Sequence, residues 1–348
     1  MGRLINTAKI VAIISTALAF IASTASALDV AKHYTDKRII ILVPYGPGGT
    51  YDKYAQTFSR HMEKFIPGKP NIIVQHMPGA GGAKAMNWAY NVMPKQGYNF
   101  LEPLDNTVIN QLLRPKAMRY KSDKFTWLGS ANQTNTIIVA SVRNGISSIE
   151  DWKKSKTGLI GSSAGVNATS TLIPTYVMKA LNLKGKIVKG YKGSSRAIMA
   201  IEQGEADMSC ANWLAWASKV PHWFKGKKPF ANPIVQAGIW RDPDLKTIPM
   251  LDEVVPEKYK AGARFLGSMG PLGRGLTLPP GVPKGLVAPL RKAFDKMVND
   301  KGFQAELKKR RLRLIPTTGV DLQKTVKKAL VETNPKVIAF VRRVIFNK

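Results

Sequence analysis

Short apolar runs alternate along this chain with stretches in which apolar residues recur at three- and four-residue intervals. The first pattern predicts buried strands and the second amphipathic helices. Strands are expected at 39–43, 71–75, 98–104, 137–142, 159–160, 186–188, 206–210 and 233–237. Helices are expected over 52–65, in a short segment ending near Asn91, over 169–181, and up to Gln203. From Pro283, a residue suited to a helix start, the chain reads as helices alone. No repeat of fixed period is visible. Strand and helix in alternation predict an α/β protein whose mainly parallel sheets are flanked by helices.

Glycine-rich turns follow the strands. In the first, Val43-Pro44-Tyr45-Gly46-Pro47-Gly48-Gly49-Thr50-Tyr51-Asp52, a strand passes through glycines into a helix. Such a helix start exposes backbone N–H groups that suit an anion. The turn lacks the Lys-Ser/Thr ending of a P-loop and the Gly-x-Gly-x-x-Gly spacing of a dinucleotide fold. The anion expected is therefore small, a carboxylate, although a tight turn without a ligand explains the same residues. Pro78-Gly79-Ala80-Gly81-Gly82, Gly161-Ser162-Ser163-Ala164-Gly165 and Gly190-Tyr191-Lys192-Gly193-Ser194 are the other three. They sit at the carboxyl ends of strands, where open α/β sheets bind ligands. Two turns precede residue 110 and two follow residue 155, which suits two lobes offering turns to a shared cleft; ordinary strand-to-helix connections are the plain alternative.

Residues 1–27 read as a secretory signal. Arg3 and Lys9 supply a positive start, residues 10–21 are apolar, and Ala25-Ser26-Ala27 fits the small-residue cleavage rule. A spanning helix needs about 20 apolar residues, more than this run supplies. The mature chain is expected to begin at Leu28 as a soluble, exported monomer. Its length suits two domains, and an apolar fraction of 44% is ample for cores. The single cysteine, Cys210, forms no intrachain disulfide and reads as a small buried residue.

Lys and Arg number 53 against 22 acids, a formal charge of +31. Such a charge gathers anions and raises the possibility of nucleic acid or an envelope polyanion. The basic residues are spread out, however. The densest cluster, Lys308-Lys309-Arg310-Arg311-Arg313, is expected on a short helix without an aromatic stacking platform. A solvated face is the preferred reading, and nucleic acid is not expected as a partner. Catalysis has little support: His33, His61, His76 and His222 show no metal-ligand spacing, and Ser162-Ser163 has no obvious base partner in the sequence. No enzyme activity, metal or cofactor is expected.

These segments, in this order, resemble the periplasmic substrate-binding proteins of tripartite tricarboxylate transporters, the Bug or TctC-type family, over nearly all of the mature chain. The stretch from Lys37-Arg38-Ile39 to Asp52 resembles the family's first strand and Pro-Gly-Gly turn. Gln75-His76-Met77-Pro78-Gly79-Ala80-Gly81-Gly82 is similar to its Asn-x-Pro-Gly-Ala-Gly-Gly segment. Gly190-Tyr191-Lys192-Gly193-Ser194 and Glu202-Gln203-Gly204-Glu205-Ala206-Asp207 resemble its Pro-Tyr-x-Gly-Ser and Gly-Glu-x-Asp pair. Arg241-Asp242-Pro243-Asp244-Leu245 with Ile248-Pro249, and Leu278-Pro279-Pro280-Gly281-Val282-Pro283, resemble two later stretches. The resemblance implies a two-lobed, Venus-flytrap fold, with 28–135 plus 265–348 in one lobe and 136–264 in the other. It implies capture of a small mono- or dicarboxylate, aliphatic or aromatic, for delivery to two membrane permease subunits. A ligand-presenting partner of a sensor kinase would share the same cleft.

The residues that the resemblance places at the ligand are Tyr45, Pro47, Gly48, Gly49, Thr50, Tyr51 and Asp52 on the first turn, and Pro78, Gly79 and Ala80 on the second. Ser162, Ser163, Ala164, Asn167 and Thr169 follow on the third, and Tyr191, Lys192, Gly193 and Ser194 on the fourth. The chain departs from the family at Thr50 and Tyr51, where many members have a third glycine and Thr. It also lacks a His often seen where Asn167, Thr169 and Ser170 stand here. Two facing helix N-termini, each carrying about half a positive charge, would nearly cancel one carboxylate without a salt bridge. Ser163 and Asn167 suit either a helix cap or a ligand contact. Asp52 reads as a cap, Trp213 and Trp216 as core, and Tyr191 as a ligand contact.

Overall fold

A computed structural model describes residues 28–268 and 270–347; the expected secretory signal lies outside these residues. The chain forms two sheets. The strands β1 (Arg38–Val43), β2 (Asn71–His76), β3 (Asn99–Leu101), β4 (Thr126–Ser130), β10 (Gly275–Leu278) and β11 (Thr317–Thr318) make the first, in the order β11-β4-β10-β3-β1-β2. The strands β5 (Thr136–Ser141), β6 (Leu159–Ser163), β7 (Gly185–Lys189), β8 (Met208–Asn212) and β9 (Ala231–Ala237) make the second, in the order β7-β6-β8-β5-β9.

The apolar runs become these strands because they are covered on both faces. All six residues of β5 are buried. β1 places Ile39 and Ile41 against Tyr54, Phe58 and Phe294, and Leu42 against a second core with Leu101. The helix Thr50–Met62 lies on the first sheet, and Lys284–Val298 packs beside it. The expected parallel pairing holds for β1 with β2 and β3, and for β6 with β7 and β8. Both sheets are nevertheless mixed rather than mainly parallel: β10 runs antiparallel to β3 and β4, and β5 antiparallel to β8 and β9. The physical reason is the crossing of the chain between sheets. The strands that make or receive the crossings pair with distant segments and need no right-handed helical connection.

Several boundaries differ from the sequence pattern: the strand expected at 206–210 is Met208–Asn212, and Thr317–Thr318 is a strand where helices alone were expected. Strand 98–104 shrinks to Asn99–Leu101. Gly161-Ser162-Ser163, expected as a turn, is the end of β6. A Cβ on Gly161 would stand 2.7 Å from Ile187 and 3.1 Å from Met208, so the glycine serves close packing within the sheet. Its neighbours fold inward as small polar strand residues with internal hydrogen-bond partners.

A buried polar network ties the crossings together. Asn135 Nδ2 donates to Gln236 Oε1 at 2.8 Å and to Trp240 O at 2.6 Å. Gln236 Nε2 donates to Leu245 O and Ile248 O, and Asp242 N donates to Gln236 Oε1. Arg313 closes the network with a two-pronged pair onto Asp242, at 2.8 and 2.9 Å. The last helix, Pro335–Phe346, packs against Thr169–Ala180 and Glu257–Gly267.

The basic cluster at 308–313 is not one solvated helical face. The helix Lys301–Lys309 ends inside it, and Arg310 NH1 donates to Lys53 O at 2.7 Å. Glu306 on that helix receives Arg60 and His61. Burial works to raise the Glu306 pKa, but hydrogen bonds from Arg60 and His61 prevail and hold it at about 2. A lowered folded-state pKa stabilises above the unfolded value and is lost as pH falls towards the folded one. Acid titration of Tm is therefore expected to fall between about pH 4.5 and 2, and Glu306→Gln should flatten that limb. An unchanged limb in the variant would refute the assignment.

Candidate functional site

Three helices begin at one cavity between the two sheets. Thr50–Met62 starts behind Gly49, Thr169–Ala180 behind Ala168, and Ser194–Glu202 behind Gly193; none has a side-chain cap. Each leaves its first-turn N–H groups without the usual Ser, Thr, Asp or Asn acceptor. Gly49 and Thr50, Ala168 and Thr169, and Gly193 and Ser194 all line the cavity. Its volume is about 50 Å³; on a scale where one water needs roughly 10–15 Å³, that admits a few waters or a small solute.

The first turn owes its shape to Asp52. Gly48, at φ +83, donates its N–H to Asp52 Oδ2 at 2.8 Å, and His76 Nε2 lies 2.9 Å from Asp52 Oδ1. This is the backward reach of an acid three residues into a helix. The carboxylate is spent on the turn and does not line the cavity. Tyr45 and Tyr51 form one wall, with ring centroids 5.1 Å apart. Burial, reinforced by Asp105, pushes both phenols up, so both stay protonated.

Arg274 forms the floor. It is 2% exposed, at φ +61, a left-handed conformation that costs a non-glycine residue about 1–2 kcal/mol. Its guanidinium lies 3.8 Å from the Tyr51 ring centroid, and its Nε donates to Thr50 Oγ1 at 3.2 Å. NH1 stands 3.7 Å from Asp105 Oδ2. Burial works against the Arg274 charge, but Tyr51, Asp105 and Glu102 outweigh it and raise the pKa. Burial raises Asp105, with Arg274 opposing, and pushes the fully buried Glu102 well above the usual carboxylate range.

The lobes touch around the cavity. Gly46 N donates to Lys192 O of the other lobe at 2.7 Å, while within the first lobe Tyr45 OH donates to Gly81 O at 3.2 Å. Asn167 is a latch: its carbonyl accepts from Asn106 and Asn110, its Oδ1 from Arg114, and its Nδ2 donates to Ala80 O. A Cβ on Gly81 would stand 2.5 Å from Ala168 N, and one on Gly165 2.5 Å from Gly81 N.

Of the residues singled out from the sequence, Tyr45, Gly49, Thr50, Tyr51, Ala164, Thr169, Gly193 and Ser194 line the cavity. The others do not. Gly48 faces an adjoining crevice with Lys53 and Lys219, and Pro47 is exposed at the tip of the turn. Pro78, Gly79 and Ala80 lie outside the cavity wall, because their turn meets Asn167 of the other lobe directly. Ser162 Oγ donates to Ala197 O within its own lobe, and Ser163 Oγ is bonded to Ser170 and Thr171. Asn167 bonds across to the other lobe rather than capping its helix, and Lys192 accepts the Gly46 N–H through its carbonyl. Tyr191 OH reaches Glu205 at the surface. Trp213 donates to Asp244, and Trp216 is fully buried.

Sequence reasoning passed over Arg274, Asp105 and Asn212, all on the cavity wall, and Cys210, read as a small buried residue, is buried there too. One arginine among 53 basic residues carries no pattern of its own. Three helix ends, where two were expected, face the cavity, with the buried Arg274 guanidinium beneath them.

No family model matches the chain, and no curated protein does either. Solved structures do. The periplasmic binding protein BugD superposes with TM-score 0.70 at 20% identity, over 89% of this chain and 98% of its own. MatC from Rhodopseudomonas palustris with bound malate gives 0.67 at 20%, over 86% and 99%. R. palustris Rpa4515 with adipate gives 0.67 at 16%, over 88% and 97%. The fold of this chain is thus the α/β, two-lobed fold of Bug/TctC-type periplasmic binding proteins. No helix among the described residues is long and apolar enough to cross a membrane.

Proposed function

We propose that this chain is a periplasmic solute-binding protein of the tripartite tricarboxylate transporter type, holding a small organic carboxylate between its lobes. The observation that carries this reading is the convergence of three uncapped helix N-termini, from both lobes, on one small cavity. Each end supplies free N–H donors and about half a positive charge. Together they replace the water that a carboxylate sheds on burial. The malate and adipate held by two proteins of the same fold support the ligand class.

Donors from both lobes surround the ligand only when the lobes meet, so the bound acid favours the closed form by population shift. Gly46–Lys192 and the Asn167 latch then hold a surface that membrane permease subunits recognise. A thermal-shift screen of mono- and dicarboxylates, aliphatic and aromatic, tests this. At a concentration 100-fold above Kd, a ligand adds about 2.7 kcal/mol, or roughly 5 °C of Tm in a chain of this size. If no acid raises Tm, the carboxylate reading fails.

A further inference from the structure

The side chain of Arg274 is 3% exposed, yet its NH1 has no hydrogen-bond partner among the described residues. A buried charged donor left unmade is costly, and native folds rarely tolerate one without a role. The guanidinium is held in place: Tyr51 lies under its plane and Thr50 takes its Nε. Asp105, at 3.7 Å from NH1, is beyond hydrogen-bond distance. The Tyr51 hydroxyl accepts the Asp105 N–H at 3.0 Å, and neither oxygen of the Asp105 carboxylate is a buried atom without a partner among the described residues. Glu102, whose two buried oxygens also lack partners among the described residues, is not among the residues lining the cavity; the unmet group of the lining is thus a donor, and the chemistry it calls for is an anionic acceptor.

We propose that Arg274 is the charged anchor of the cleft, donating from NH1 to the ligand's carboxylate, with the helix N-termini of the opposite lobe solvating the same group. This rests on the carboxylate reading above and goes beyond it, because it adds a formal charge to what helix ends alone would supply. Arg274 precedes β10 on the first sheet, whereas Thr169–Ala180 and Ser194–Glu202 belong with the second. One anion joined to both draws the lobes together. A full charge also gives selectivity: an acid is preferred over its carboxamide, which offers a neutral oxygen and an N–H group that meets Arg274 donor to donor.

The experiment is isothermal titration of the wild type, Arg274→Gln and Asp105→Asn with succinate, malate and adipate, and with the half-amide succinamate. Wild type is expected to bind at least one acid and to prefer succinate over succinamate by 30-fold or more. Arg274→Gln should weaken the acid by 30-fold or more and shrink that preference below threefold; a merely structural role would weaken acid and amide alike. Asp105→Asn, which removes the competing charge beside Arg274, should tighten acid binding threefold or more. It also decides the matter if Arg274→Gln does not fold. Wild type that binds none of the acids overturns the carboxylate reading and this proposal with it. Wild type that binds, with Arg274→Gln within threefold of it or Asp105→Asn no tighter, overturns this proposal alone.

Discussion

Arg313→Met is expected to cost the protein about 3 kcal/mol of folding stability, read as the fall in unfolding free energy by urea or guanidinium titration. Asp242 is 1% exposed and takes both prongs of Arg313, at 2.8 and 2.9 Å. Removing one partner of a buried pair leaves a charge that neither water nor protein solvates, and such changes cost about 3–5 kcal/mol. The lower end applies because the Arg313 side chain keeps 22% of its exposure. Asp244 also contacts Arg313 but is 55% exposed, so that second arm contributes little. The double variant Arg313→Met with Asp242→Leu should regain most of the loss, since an apolar pair of similar volume often replaces a buried ion pair at little cost. A single-variant loss below 1 kcal/mol would show that the pair is dispensable. The loss should also loosen the crossings, because Asp242 anchors Gln236, and Gln236 anchors Asn135.

On the carboxylate reading proposed above, Gly81→Ala is expected to raise the Kd for the bound acid about 100-fold while leaving the protein folded. The added methyl would stand 2.5 Å from Ala168 N across the cleft. Overpacking of this kind costs about 1–3 kcal/mol, and each 1.4 kcal/mol is tenfold in Kd. The clash exists only when the lobes meet, so it falls on closure. The left-handed φ of +68 at Gly81 adds a separate cost of about 1–2 kcal/mol. That cost is present open or closed, and lowers Tm without changing Kd. Titration with the ligand, paired with small-angle scattering at saturation, separates the two; the variant should remain more open than the wild type. A Kd within threefold of wild type would mean that the 79–82 turn does not limit closure.

The two predictions mark the same division of labour. The crossings are held by buried side-chain pairs that persist whether or not a ligand is bound. On the proposed function, closure is carried by short backbone approaches and by the Asn167 latch, each available only when the lobes meet. The high positive charge serves both roles in part. Arg313 and Arg310 are structural, and Arg114 belongs to the latch, bonding Asn167 Oδ1 at 2.6 Å.

By itself the sequence determined what depends on near neighbours. A short, mostly β-branched apolar run such as the one ending at Val43 reads as a buried strand. Glycines after it free the start of a helix, and an acid at position 52 reaches back to cap the turn; all of these act within about ten residues. It also carried the strand–helix alternation behind the α/β class. Tertiary structure alone decided what depends on residues far apart. Strand β10 exists because the returning chain pairs between β3 and β4, and no periodicity in Gly275–Leu278 announces that. Ser162 and Ser163 look like turn donors until a neighbouring helix and strand claim their hydroxyls. Arg274 becomes chemistry only when Thr50, Tyr51 and Asp105 surround it, because the worth of a charge is set by its solvent and its neighbours, and those come from segments more than a hundred residues away.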